Sequence, residues 1–134
     1  MPPLPADIIA VIELWHASVR RTARQLRAMC WDVAQRDNIG ALSETLKWGE
    51  PAWRPVAPRT GSTLRIGWKE ATPDRLNLYL NCKTDLAFRL VSDLPEVFDG
   101  NSRRVIWCDV MRALPDAALA HVARTTFTYH RAAA

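Results

Sequence analysis

The chain's pattern predicts an α+β fold, with helices packed on one face of an antiparallel sheet. Three observations carry this expectation. A long amphipathic helical stretch opens the chain. Short alternating segments separated by turn signals fill the middle. A second amphipathic helix with a proper start signal closes it.

From Ala6 to Gln35 there is no Gly or Pro. Apolar or small residues recur at Ile8, Ile12, Trp15, Val19, Ala23, Leu26, Cys30 and Val33, in steps of three and four that hold one helical face in phase. One straight helix of that length would run about 45 Å, against a radius of gyration of roughly 14 Å for a compact chain of this size. The spacing therefore predicts a break near His16-Ala17-Ser18, with Asp7 in the first turn of the first helix and Ser18 capping the second. Asp37-Asn38-Ile39-Gly40 carries stop signals.

Beyond it, Leu46–Trp48, Thr63–Lys69 and Leu76–Asn81 read as strands. Pro51 to Pro58 reads as a connection, because proline cannot donate to a ladder. Thr60-Gly61-Ser62 and Glu70–Asp74 read as turns. Thr84 is placed to start a short helix carrying Leu86, Phe88 and Leu90. Pro95–Phe98 reads as a short strand, Gly100-Asn101-Ser102 as a turn and Arg103–Asp109 as a longer strand. Pro115 fits the first turn of the last helix, with Asp116 at its positive end and Leu119, Val122, Ala123, Thr126 and Phe127 on its buried side. The whole reads as a single domain over 1–134: helices over about 6–36, sheet over about 44–110 and a closing helix over about 115–130.

The chain has 134 residues, 49% hydrophobic and 24% charged, which indicates a folded domain rather than a disordered segment. Its net charge of +4 permits an anionic partner without demanding one. No apolar run reaches the roughly 18–20 residues of a membrane span, so no membrane partner is expected. The first residues lack the basic and apolar regions of a secretory leader. The cysteines Cys30, Cys82 and Cys108 are odd in number and none are spaced C-x-x-C, the pattern of a reducing, cytoplasmic compartment. Cys82 reads as a small core residue. There is no G-x-S-x-G, P-loop or H-E-x-x-H motif. No catalytic residue, cofactor or metal ligand is therefore named, and a binding or accessory role is expected over catalysis. Asp93, Glu96 and Asp99 match no known metal loop, and His121 and His130 fall on opposite sides of one helix.

Strand alternation sorts the side chains. Leu64, Ile66 and Trp68 share one face with Leu76, Leu78 and Leu80, and should meet the helices. Arg65 and Lys69 share the other with Tyr79 and Asn81. Lys47 joins them if Leu46 and Trp48 point inward, and Arg104 if Val105 and Trp107 do. Every charged residue sorted this way is a cation, which predicts an anion-binding platform on the open face. The plainer reading is a solvated face whose cations cover apolar surface with their stems. Trp48 and Trp53 flank the bend at Gly49, where they form either an aromatic-walled pocket with Glu50 and Arg54 or a pair of core plugs. Arg20, Arg24 and Arg27 read as the solvated face of the long helix. The candidate ligand-binding residues are Lys47, Trp48, Glu50, Trp53, Arg65, Lys69, Tyr79, Asn81 and Arg104. The ligand would be a small anion or a polyanion such as nucleic acid. The runner-up reading is an enzyme or metal-handling protein of unrecognised type, and a third is a protein-interaction module, with exposed Trp at a homodimer interface.

Leu46-Lys47-Trp48-Gly49-Glu50-Pro51-Ala52-Trp53 resembles the aromatic-Gly-x-Pro-small-aromatic signature of the YdhG-like domains of unknown function. Gly61–Trp68, Tyr79–Cys82, Gly100–Ile106 and Leu114-Pro115 are similar to that family's later blocks, in order, over roughly Leu42 to Tyr129. The resemblance implies a small α+β domain with helices on an antiparallel sheet. It also implies, through some relatives, a frataxin-like iron chaperone working from an acidic first-helix surface. Iron prefers clustered carboxylates. Here the long helix presents Arg20, Arg21, Arg24 and Arg27, and its acids are dispersed, so the iron role does not carry over to these residues.

Overall fold

The computed structural model describes residues 1–132. The helices are α1 (Ala6–Ile12), α2 (Ala17–Arg36), α3 (Leu86–Asp93), α4 (Asp116–Phe127) and α5 (Tyr129–Ala132). The strands are β1 (Leu42–Lys47), β2 (Glu50–Pro55), β3 (Leu64–Gly67), β4 (Arg75–Tyr79), β5 (Phe98–Asp99) and β6 (Val105–Asp109). They form one antiparallel sheet in the order β1-β2-β3-β4-β6-β5. This is the predicted α+β class.

The helical face is where the periodicity put it. Ile8, Ile12, Trp15, Val19, Ala23, Leu26, Cys30 and Val33 are all buried in one core with Leu64, Ile66, Leu76, Leu78 and Phe127. The break between α1 and α2 falls at Glu13–His16. Its free carbonyls are partly satisfied by Arg20, whose guanidinium donates to the Trp15 oxygen at 3.1 Å and the Glu13 oxygen at 3.4 Å. The residue before α2 is His16, with no side-chain cap, and Ser18 lies inside the helix. At the far end Asn38 and Gly40 turn the chain with positive φ.

The Pro-studded segment is a correction. Glu50–Pro55 is a strand, seated between β1 and β3. Val56 donates to the Ala41 carbonyl at 3.0 Å, so alternation aims the even-numbered amides of β2 at β1 and the odd-numbered positions at β3. Pro51 and Pro55 thus lack their N–H on the β3 side, where the ladder covers only Ala52 and Trp53. Neither proline removes a ladder bond. Trp48 and Gly49, with φ of 55° and 78°, form the two-residue turn between β1 and β2. Positive φ at both central positions is the type I′ geometry that matches strand twist.

Two further sortings change. Ile106 and Cys108 face the core, so Val105 and Trp107 lie on the open face, not within the core. Arg104, whose carbonyl accepts from the Leu80 amide at 2.8 Å, is placed by that alternation in the helix-facing row, exposed at the sheet's end. Cys82 is exposed rather than a core residue, whereas Cys30 and Cys108 are buried. Burial pushes the Cys108 thiol up to about 12 and holds it inert.

Arg27 is also not solvated. Its side chain is 8% exposed and pairs with Glu44 of β1, 6% exposed, through bonds of 2.6 and 2.9 Å. The Glu44 carboxylate also accepts from the indole N–H groups of Trp53 at 2.7 Å and Trp31 at 3.3 Å. Arg27 in turn donates to the Pro2 carbonyl at 2.7 Å. This cluster ties α2, β1, β2 and the first residues together, and it makes Trp53 a core residue rather than a pocket wall.

Candidate functional site

The helices cover one face of the sheet and leave the other open. Register assigns that open face residue by residue. One row across the strands is Thr45–Ala52–Arg65–Tyr79–Val105. Its neighbour pairs Lys47 with Glu50 and runs Gly67–Asn77–Trp107–Asp99. The rows stack because side chains repeat every second residue.

Glu50 therefore belongs to this face, and the expectation that its charged residues are all cations is corrected. The Glu50 carboxylate meets Arg65 Nη1 at 2.5 Å, with both side chains about a quarter exposed. It reaches Arg65 by lying over Gly67. A Cβ built on Gly67 would run into the Glu50 carboxylate and stand 3.1 Å from the Tyr79 ring, so a side chain there would push the acid off its seat. Burial raises the Glu50 carboxyl above its ordinary range, more than the Arg65 and Lys69 charges lower it. The Arg65 guanidinium in turn sits 4.5 Å from the Tyr79 ring centroid. Burial and the Glu50 charge push the Tyr79 phenol up, so it remains a neutral donor at physiological pH.

Lys47, Trp48, Thr63, Arg65, Tyr79, Leu80 and Asn81 line one cleft of about 180 Å³. Five of the nine sequence-predicted residues meet there: Lys47, Trp48, Arg65, Tyr79 and Asn81. Glu50 contacts this cleft through Arg65. Lys69 lies past the end of β3, outside the cleft. Trp53 and Arg104 take no part. Trp48 stands at the rim, 83% exposed, on a turn position that Asn or Gly fills at less steric cost.

The groups lining the cleft are of a kind that can pair with an anion. Two cations of different reach, a neutral phenol, an amide and a flat indole converge on one small depression. Larger hollows lie elsewhere. One of about 900 Å³ between the first residues, α2 and the turn before β1 is lined mostly by Met1, Pro2, Ala28, Met29, Trp31 and other apolar or uncharged groups. Another, of about 880 Å³, opens beside Arg75, Trp107 and Arg112. Among the described residues no group of three or more His, Cys, Asp or Glu is placed to hold a metal, and no helix is long and apolar enough to cross a membrane.

Strand alternation alone missed Glu50 and Trp107. The Trp48-Gly49 dipeptide was the available signal for Glu50: read as a two-residue hairpin turn, it pairs Lys47 with Glu50 and starts β2 there.

The chain matches no family model, no curated protein and no solved structure.

Proposed function

We propose that this protein is a binding module for an anionic ligand with a planar group, held in the cleft of Lys47, Trp48, Arg65, Tyr79 and Asn81. The observation that supports this most is the state of Arg65. Its guanidinium carbon lies 4.5 Å from the Tyr79 ring centroid, and the group is matched by a single carboxylate that only a glycine at position 67 admits. Glu50 engages Arg65 through one oxygen, at Nη1, and an incoming phosphate or carboxylate replaces it with an anion that can take two guanidinium N–H groups at once. Lys47 adds a second charge from the hairpin end, and Trp48 supplies an exposed face for an aromatic group.

Phenyl phosphate tests this reading, since it carries both parts. Titrating it should change the tryptophan emission, and Trp48→Phe should remove most of that change. Arg65→Ala should weaken binding about ten-fold, the loss expected for one hydrogen bond to a charged group. Glu50→Gln should tighten it several-fold by removing the competing carboxylate. Affinity unchanged by both Arg65→Ala and Glu50→Gln would place the ligand elsewhere.

A further inference from the structure

The cleft is one end of a longer pattern. Arg75 lies 4.7 Å from the ring centroid of Trp107, repeating on β4 and β6 the arrangement that Arg65 makes with Tyr79. Register relates the two rings. Asn77 pairs with Trp107 and Tyr79 with Val105, so Tyr79 and Trp107 are diagonal neighbours on adjacent strands, their backbone positions about 7–8 Å apart. Trp48 supplies a third, exposed aromatic at the other end of the face. The cations of the face are Lys47, Arg54, Arg65 and Arg75 on the strands, with Lys69 just past β3.

Resting on the anion-cleft reading, we propose that the ligand of this face is a single-stranded nucleic acid, running from Trp107 past Tyr79 to Trp48. Three features select it. Repeated rings with repeated guanidiniums suit a polymer that alternates planar bases with phosphates, and each arginine, on its flexible stem, uncovers its ring as it moves to a phosphate. The diagonal spacing is roughly twice the 3.4 Å rise between stacked bases. Bases seated on both rings have therefore left each other's stack, which a single strand does readily and a duplex does not. Apart from Glu50, which an incoming phosphate displaces from Arg65, the acids set the direction of the path. Asp99 pairs with Trp107, and Asp109 with Arg75, so carboxylates stand on the β5 side and repel phosphate there. The track ends at β6 and extends only toward the hairpin of β1 and β2.

Fluorescence anisotropy with labelled octauridylate, beside uridine monophosphate as the one-nucleotide probe, tests this on the intact chain. The octamer should bind at least ten-fold tighter than the monophosphate. Its affinity should fall with salt at a log–log slope of roughly −2 to −3, for about three or four phosphates engaged. Trp107→Ala and Arg75→Ala should each weaken the octamer about ten-fold and leave the monophosphate unaffected. Arg75→Ala removes an exposed side chain and carries the test should Trp107→Ala fail to fold. If the monophosphate binds in an Arg65-dependent way but the octamer binds no tighter, the nucleic-acid inference falls and the cleft stands. Equal binding of the octamer annealed to its complement, or of an inorganic polyphosphate of the same length, also overturns it. If neither nucleotide nor octamer binds, both readings fall.

Discussion

Replacing Glu44 with Gln is expected to destabilise the protein by about 3–5 kcal/mol, the usual loss when one member of a buried ion pair is removed. The carboxylate accepts from Nε and Nη2 of Arg27 and from the indole N–H of Trp53 and Trp31. An amide at that site offers one acceptor oxygen and turns an NH₂ group toward a guanidinium. Arg27 then stays buried with the Pro2 carbonyl and one amide oxygen, for which the two indoles compete, as its acceptors. Replacing both partners, Arg27→Met with Glu44→Leu, should cost less than Glu44→Gln alone. The buried charge is gone, and what remains is mainly the lost acceptor of the buried Trp53 indole, about 1–3 kcal/mol, since Trp31 is only partly buried and its N–H can turn to water. Urea denaturation measures all three variants. A Glu44→Gln protein as stable as the parent would show that the cluster is incidental.

The same residue sets an acid limit. Burial tends to raise the Glu44 carboxyl, but the bonds from Arg27, Trp53 and Trp31 outweigh it and hold it below its ordinary value of 4.5. Below that value the unfolded chain takes up a proton that the folded chain refuses. The stability contributed by Glu44 is therefore complete above about pH 5 and is lost as pH falls through the region beneath 4.5. Glu44→Gln should lose this part of the acid dependence.

Gly61→Ala is the second large effect expected. Ser62 donates to the Thr126 carbonyl at 2.9 Å, and His130 donates to the Thr60 carbonyl at 3.1 Å. These bonds clamp the turn before β3 onto the end of α4. A Cβ at position 61 would collide with the backbone of Phe127, its carbonyl group and Cα alike. Backbone cannot rotate away as a side-chain tip can, so the turn and the helix end must separate. Overpacking of this kind costs about 3 kcal/mol, or roughly 10 °C in melting temperature for a domain of this size. A thermal scan that left Gly61→Ala at the parent value would mean that the turn is free to move off α4. Gly67→Ala also meets an obstacle, but the obstacle is the Glu50 side chain, so its effect should appear in ligand affinity more than in stability.

The contrast between these two glycines shows what was legible from residue order. The face of α2 and the alternation of β3 and β4 follow from a period that neighbours in sequence reveal, and both hold in the structure. Lys47 reaches the open face through its hairpin pairing with Glu50 and not because Trp48 points inward; Arg65 and the ring of Tyr79 were sorted correctly by that period. Glu50 and Trp107 were not, because each depends on the register of one strand against another. Pro51 and Pro55 argue locally against a strand. They are harmless only because both missing amides face the side of β2 where the ladder is two residues long. Arg27 reads locally as part of a solvated stripe, until β1 brings the Glu44 carboxylate beside it. A glycine gives no local sign of what presses on it: Gly61 faces a helix end 66 residues away in sequence at Phe127, and Gly67 faces a carboxylate from the neighbouring strand.

The central claim, that anions are held in the cleft around Arg65, is tested most directly by chemical-shift mapping. Inorganic phosphate titrated into isotopically labelled protein should shift the backbone amides of Lys47–Glu50, Arg65, Tyr79 and Asn81 and the indole of Trp48, with salt weakening the response. Arg65→Ala should abolish most of it. Shifts confined to the exposed arginines of α2, such as Arg21 and Arg24, or a response undiminished in Arg65→Ala, would contradict the claim.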